Sequence, residues 1–474
     1  MSDNRPKTLI GRGIQMDRPD DMISIEVPDA DRKRHTFIFG TTGVGKTRLA
    51  ENLIEQDIMK GMSVVYFDPK GDQDIFTKIF EIARRTGRLE DLMLVTPVYP
   101  EYSAVIDPLA YYYMPDELVG HIISGIQAGN EPFFRNVAKE ITTAVVLANI
   151  VLQKQAGKAP HINIDQVRQS IRRASLEEMA LALRKIGSSE AEDVAGMLQD
   201  IIDSGADYYN KVSSSLRTCL ADLSFGNIGK IIGKADSNRF MKRLEEGKKV
   251  IMVVHTGTML TREAAATLGK VILSMIQSYI GRVYMSKRKL IEHGLSIHID
   301  EAQSLLYEGF EELPAKAGSA NVMLQMYAQS VNQIYDVVGE MKAKSILDNT
   351  NTKIFLRCSD AETSEYVAKH FGVRTKLSGI YGNNTVTTKE TEEDILKVEN
   401  ILYLQPREFY MMSYGGRFKG LTNTAWTPET RIEFPDAPTS HTEAGAPADE
   451  RVVSAAEKNT AAAEAEEEGM PDEY

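Results

Sequence analysis

The sequence predicts an α/β protein: a parallel sheet flanked by helices, interrupted by an all-helical insertion and closed by a disordered acidic tail. Three observations carry that prediction. From about residue 35 to 110, short apolar runs such as "TFIFG", "SVVYFDPKGD" and "LMLVTPV" alternate with helical patterns such as "IFTKIFEIARRTG". Alternation of this kind argues for a parallel sheet covered by helices. From about 112 to 240 helical periodicity takes over, as in "PFFRNVAKEITTAVVLANIVLQKQ", "SLEEMALALRKI" and "AEDVAGMLQDII". The last forty residues are rich in Ala, Glu, Pro and Thr and nearly free of large apolar side chains. Such a composition buries too little surface to fold.

These shifts set the boundaries. Residues 1–34 read as an N-terminal segment, 35–111 and 240–432 as the α/β domain, 112–239 as the helical insertion and 433–474 as the tail. After the insertion strands return with "KKVIMVVHTG", "LSIHIDEAQSLL", "NVMLQMYAQSVNQI", "TKIFLRCSD" and "REFYMMSYGG". The long helix "REAAATLGKVILSMIQSYIGRVYMSK" lies among them. No internal repeat is apparent.

The bulk numbers exclude several classes. A length of 474 residues supports two or three domains with ample core. The net charge of −12 argues against a basic protein that coats nucleic acid, but not against DNA held in a local channel. The tail supplies most of that charge and reads either as a solubiliser or as a docking segment. Cys219 and Cys358 are the two cysteines, far apart, so no disulfide framework is implied and a reducing cytosol fits. The opening "MSDNRPKTLIGRGIQMDRPDD" is polar, unlike a signal peptide. The nearest approach to a membrane span is "ITTAVVLANIVL", which falls short of the roughly twenty apolar residues required and reads as a core helix. The expectation is a cytoplasmic chain without a transmembrane segment.

The sharpest motif is G-x-x-x-x-G-K-[ST], filled by Gly40, Thr41, Thr42, Gly43, Val44, Gly45, Lys46 and Thr47. An apolar strand precedes it and an amphipathic helix follows, which is the context the motif requires. Glycines let backbone N–H groups turn toward phosphate oxygens, and the helix start adds its positive end. Lys46 is expected to reach the β- and γ-phosphates of ATP, and the Thr47 hydroxyl to ligate Mg²⁺. An ordinary glycine turn is the plain alternative.

A phosphate loop needs an acidic partner on another strand. "LSIHIDEAQSL" places Asp300 at a strand end with Glu301 after it. Asp300 is expected to hold Mg²⁺, and Glu301 to orient or deprotonate the attacking water. Alone, the pair would also suit a helix start, where acidic side chains are favoured. Gln329 ends the strand that begins near Val322 and is placed to sense the γ-phosphate; the alternative is a polar strand-end residue. Arg357, near a further strand end, is a candidate arginine finger acting on a neighbouring subunit, or a surface arginine paired with Asp360 or Glu362. Asp68-Pro69-Lys70 reads as a turn. His298 reads as a packed core residue, and Lys342 and Lys344 as solvated helix charges or DNA contacts.

In order, "HTFIFGTTGVGKT", "VVYFDPKGD", "AVIDPL", "IHIDEAQSL", "YAQSVNQI", "ILDNTNTKIFLRCSDAETSEYVAKHFG" and "REFYMMSYGG" resemble the type IV coupling proteins of conjugative elements, over roughly residues 35 to 420. The resemblance implies a RecA-like motor domain with an inserted helical domain. It also implies a homohexameric ring with ATP between subunits and DNA in a central channel. In that family the motor moves a relaxase-bound strand toward a secretion channel, and an acidic tail docks DNA-processing partners. Lys46, Thr47, Asp300, Glu301 and Gln329 match the family's nucleotide-site positions, and Arg357 matches less closely. Typical members carry two N-terminal transmembrane helices that this sequence lacks. A separate membrane partner, holding the chain peripherally at the inner membrane, would reconcile the two. The other readings are a soluble hexameric translocase working with a nuclease, and an ATPase-switched substrate adaptor.

Overall fold

The computed structural model describes residues 5–126, 132–382, 385–429 and 431–435. The described residues up to Glu433 form one compact unit. The acidic tail expected over 433–474 lies outside the described residues beyond Pro435.

The strands are β1 (Lys7–Gln15), β2 (Arg18–Pro28), β3 (Thr36–Phe39), β4 (Ser63–Asp68), β5 (Leu92–Val95), β6 (Ile251–His255), β7 (Leu295–Ile299), β8 (Val322–Ala328), β9 (Thr352–Phe355), β10 (Val373–Gly382), β11 (Thr385–Asp394), β12 (Glu408–Ser413) and β13 (Gly416–Thr422). Eleven of them form one sheet in the order β2-β1-β13-β12-β9-β3-β8-β7-β4-β6-β5. From β9 to β5 every neighbouring pair is parallel. From β12 to β2 every pair is antiparallel. The parallel strands are apolar runs buried along their length, as sheets covered on both faces require. β10 and β11 pair separately.

Residues 1–34, read from sequence as a segment of their own, supply β1 and β2 to this sheet. β1 carries Lys7 and Arg12 and pairs with β13, some four hundred residues later. Nothing in its local pattern announces that partner.

Alternation along β3 divides the core. Phe37 and Phe39 point into one apolar cluster, which continues through Val65, Ile122, Val145, Leu198 and Leu268. Ile38 points to the opposite face, against Leu49, Leu53, Ile354, Ile10 and Ile25. The helices from Pro115–Ser124 to Arg239–Glu245 therefore share their core with one face of the sheet. The helix Lys46–Met59 and the β1–β2 hairpin cover the other. The long helix Arg262–Met285 runs through the first layer with fourteen buried residues, which explains its apolar content without a membrane. Among the described residues no helix is long and apolar enough to cross a membrane.

Candidate nucleotide-binding site

The carboxyl ends of the parallel strands bring the expected residues together. β3 ends in the glycine loop, and the helix Lys46–Met59 starts from it. The loop is held by the strands on either side. The Gly40 N–H donates to the Ala328 carbonyl at the end of β8 (3.2 Å), and the Thr41 N–H to the Arg357 carbonyl past β9 (2.8 Å). Gly43 and Gly45 have φ of 80° and 111°, a region side chains with a Cβ avoid. Lys46 is buried, and its ammonium donates to the carbonyls of Gly40 and, at 2.9 Å, Thr41. Burial lowers its pKa, while Asp300 pulls the other way.

β8 separates β3 from β7, so Asp300 arises two strands from the loop. Its N–H donates to the Phe67 carbonyl of β4 (3.0 Å), and its Oδ1 accepts the Glu301 N–H (3.0 Å). Burial raises the Asp300 pKa against the pull of Lys70. Glu301 sits at φ 45°, ψ 54°, a left-handed conformation for a residue with a side chain. Such backbones cost on the order of 1–3 kcal/mol and concentrate at functional sites. Gln329 leaves the end of β8, between the loop and the acidic pair, and its N–H donates to Gln333 Oε1 (3.2 Å). Ser330 next to it caps the following helix.

Arg357 is exposed, and its own carbonyl is tied to Thr41 of the same chain's loop. The acidic residues proposed as its surface partners are engaged elsewhere: Asp360 accepts the Thr363 N–H (2.8 Å), and Glu362 accepts from Asn332. Lys342 pairs with Glu308 (3.2 Å), outside its own helix, and Lys344 with Glu340 (2.6 Å), one helical turn away. His298 is fully buried and hydrogen-bonded to Tyr327 and Ser296, as a packed histidine should be.

Two residues near the site lie in stretches that carry the family resemblance, "VVYFDPKGD" and "REFYMMSYGG", but take no site role from the sequence. Lys70 stands 3.6 Å from Asp300 and 3.3 Å from Glu301. Read from sequence as a turn residue, it joins the acidic pair because β4 lies beside β7. Arg407, at φ 72°, braces the loop from the antiparallel side: its N–H donates to the Val44 carbonyl (2.9 Å), and a Cβ on Gly45 would come within 3.3 Å of its Cγ.

The donor set fits a magnesium ion better than a transition metal. Among the described residues no group of three or more His, Cys, Asp or Glu side chains could hold a metal. One carboxylate, with the half-buried Thr47 hydroxyl on the first helical turn, suits an ion that takes its other ligands from phosphates and water.

A glycine loop, an acidic strand end and a glutamine on the strand between them, all at the carboxyl edge of a parallel sheet, define a RecA-like P-loop nucleotide-binding protein. The chain belongs to the family described as Helicase HerA, central domain, whose model matches residues 10–338. A second model, described as TraM recognition site of TraD and TraG, matches residues 295–406. A stretch of 94 residues is 35% identical to the type 4 coupling protein DotL of Legionella pneumophila subsp. pneumophila. That stretch is 19% of this chain, and the chain spans 12% of the length of that curated relative. Among solved structures, the unbound bacterial conjugative coupling protein TrwBΔN70 superposes with a TM-score of 0.65 at 16% identity, covering 87% of this chain and 89% of that one. TrwB in complex with ADP and Mg²⁺ superposes at 0.62 and 16% identity, covering 88% and 90%. The RecA-like fold with its helical insertion, expected from the resemblance to coupling proteins, is thus the observed one.

Proposed function

We propose that this chain is an ATP-driven DNA motor of the coupling-protein kind, delivering relaxase-bound DNA to a conjugation or type IV secretion channel. The observation that carries the proposal is the meeting of Lys46, Asp300, Glu301 and Gln329 at one edge of the sheet, from three different strand ends. Gly40, Thr41, Thr42, Gly43, Val44 and Gly45 offer backbone donors to the phosphates, and Lys46 turns from its own loop carbonyls to the β- and γ-oxygens. Thr47 and Asp300 would hold Mg²⁺, which supplies positive charge against the phosphates when bound. Glu301 orients and deprotonates the water, and Gln329 reports loss of the γ-phosphate. Arg357 completes the site of a neighbouring subunit in a homohexamer. The nucleotide-bound relatives support the cofactor assignment, and the TraD/TraG-type match over residues 295–406 supports docking of a DNA-processing partner. Membrane attachment would come through a separate partner protein.

The family match over residues 10–338 also favours a second reading, a translocase working with a nuclease in repair or packaging. ATPase rates with and without single- and double-stranded DNA test the motor itself. Co-purification of a relaxase and secretion components, or of a nuclease, separates the two readings. Absence of DNA stimulation, with tight binding of a relaxase-like protein, would leave the substrate adaptor.

A further inference from the structure

Lys70 is aimed at the acidic pair by a loop with little freedom. Asp68, 1% exposed, accepts the Lys70 N–H on one carboxylate oxygen (2.9 Å) and the Asp72 N–H on the other (2.6 Å). The Pro69 carbonyl accepts both the N–H and the hydroxyl of Thr258, each at 2.8 Å. The Asp68 carbonyl accepts the Thr256 N–H (3.2 Å). The loop is thereby pinned to β4 on one side and to the segment after β6 on the other. From this fixed base the lysine reaches Asp300 Oδ2 and Glu301 Oε1 together.

The two cations of the site differ. Lys46 is buried and folded onto its own loop, whereas the Lys70 side chain is 45% exposed. A lysine so placed can swing into water without giving up packing. Asp300 is 5% exposed, so its charge depends on a close positive partner. The cation that reaches Asp300 Oδ2 is Lys70, at 3.6 Å.

We propose that Lys70 is a built-in counter-cation of the Asp300–Glu301 pair, which a divalent ion must displace before Asp300 can ligate it. The proposal rests on reading the site as one for Mg²⁺ and nucleotide. It assigns Lys70 a gating role: its ammonium keeps the empty acidic pair neutralised and raises the Mg²⁺ concentration needed to load the site. Removing the charge leaves two adjacent carboxylates with less positive compensation, so they attract a divalent ion more strongly.

The test uses the full chain and Mn²⁺ as the stand-in for Mg²⁺, titrated without nucleotide and followed by the EPR signal of the free ion. Lys70→Met should bind Mn²⁺ about fivefold or more tighter than wild type, a gain set by a half-exposed and partly screened charge pair. Lys70→Arg, which keeps the charge, should stay within about twofold of wild type. Asp300→Asn should abolish the tight site. Equal or weaker Mn²⁺ binding by Lys70→Met overturns the proposal, as does a Lys70→Arg shift matching that of Lys70→Met. Absence of Asp300-dependent Mn²⁺ binding in Lys70→Met overturns it as well. Nucleotide binding in the same wild-type preparation tests the motor reading separately. A chain that shows the Lys70 effect on Mn²⁺ yet binds no nucleotide sinks that reading and leaves the counter-cation assignment standing.

Discussion

Arg32 and Asp57 form a bidentate ion pair sealed inside the protein, with Nη1–Oδ1 at 2.5 Å and Nη2–Oδ2 at 2.8 Å. Arg32 is 2% exposed and Asp57 0%. Asp57 belongs to the helix that starts at Lys46, and Arg32 follows the β1–β2 hairpin. The Ser296 hydroxyl of β7 donates to Asp57 Oδ2 (2.6 Å). His298 lies 3.4 Å from the same oxygen and bonds Tyr327 of β8 at 3.0 Å. A polar network therefore ties the N-terminal hairpin to the phosphate-loop helix and to the strands that present Asp300 and Gln329. Although burial works against its charge, the Arg32 guanidinium holds the Asp57 carboxyl well below the usual carboxylate range.

The pair predicts an asymmetric response to substitution. Arg32→Met strands a buried carboxylate and should cost about 3–5 kcal/mol in chemical denaturation. The double variant Arg32→Met/Asp57→Leu removes both charges and should recover part of that loss. A double variant as unstable as the sum of the two single ones would show that charge burial is not the cause.

At the glycine loop, Lys46→Ala should abolish nucleotide binding, read by equilibrium titration with a fluorescent ADP analogue. Glu301→Gln should keep binding and lose turnover, because the amide still fills the site but cannot take a proton. Normal turnover in Glu301→Gln would remove it from the role proposed above.

Which parts were legible in the sequence follows from how far each signal has to reach. The parallel strands announce themselves as apolar runs, and the glycine loop as a contiguous motif with its strand and helix attached. Asp300 and Gln329 were readable because a strand end is a local feature. The β1–β2 hairpin was not, since its burial depends on β13 at the other end of the chain. Lys70 and Arg407 stand in stretches that carry the resemblance, but their place at the site was not legible for the same reason. One reaches the site because β4 neighbours β7, the other because Gln405 to Glu408 passes behind Val44 and Gly45. The helical insertion was visible as a change of period, but not its sharing of one apolar core with the sheet.

Acid should weaken the fold through buried histidines. His35 is held neutral by burial, with its pKa lowered to about 4, and its Nδ1 accepts the Leu324 N–H (3.1 Å). His121 is lowered to about 3 by burial and secondarily by the nearby Arg282. In both, the folded pKa lies below the unfolded one, so the unfolded chain takes up protons first. Stability is complete above about pH 6.5 and falls as pH drops from there toward 4, by at most about 1.4 kcal/mol per unit for each histidine. Asp68, raised to about 6 by burial, acts in the opposite sense and gains stability as pH falls through that value. Denaturant midpoints at pH 7 and pH 5 should therefore drop in wild type and drop less in His121→Asn. An unchanged slope in that variant would place the proton uptake elsewhere.

The last prediction concerns Arg357. Its carbonyl fixes Thr41 of its own glycine loop, while its side chain is exposed and its two acidic neighbours are occupied. The backbone thus serves the loop in cis and the guanidinium is left to act outward. If that guanidinium completes a neighbour's site, hydrolysis needs two chains, and loss of the charge should lower the rate by about 10³–10⁵ where a finger operates. Arg357→Ala subunits mixed with wild type would then inactivate sites on intact neighbours, so activity should fall more steeply than the wild-type fraction. Lys46→Ala subunits in the same assay lose their own nucleotide and serve as the comparison. A strictly proportional loss with Arg357→Ala would return the residue to the surface role that its position after β9 also allows.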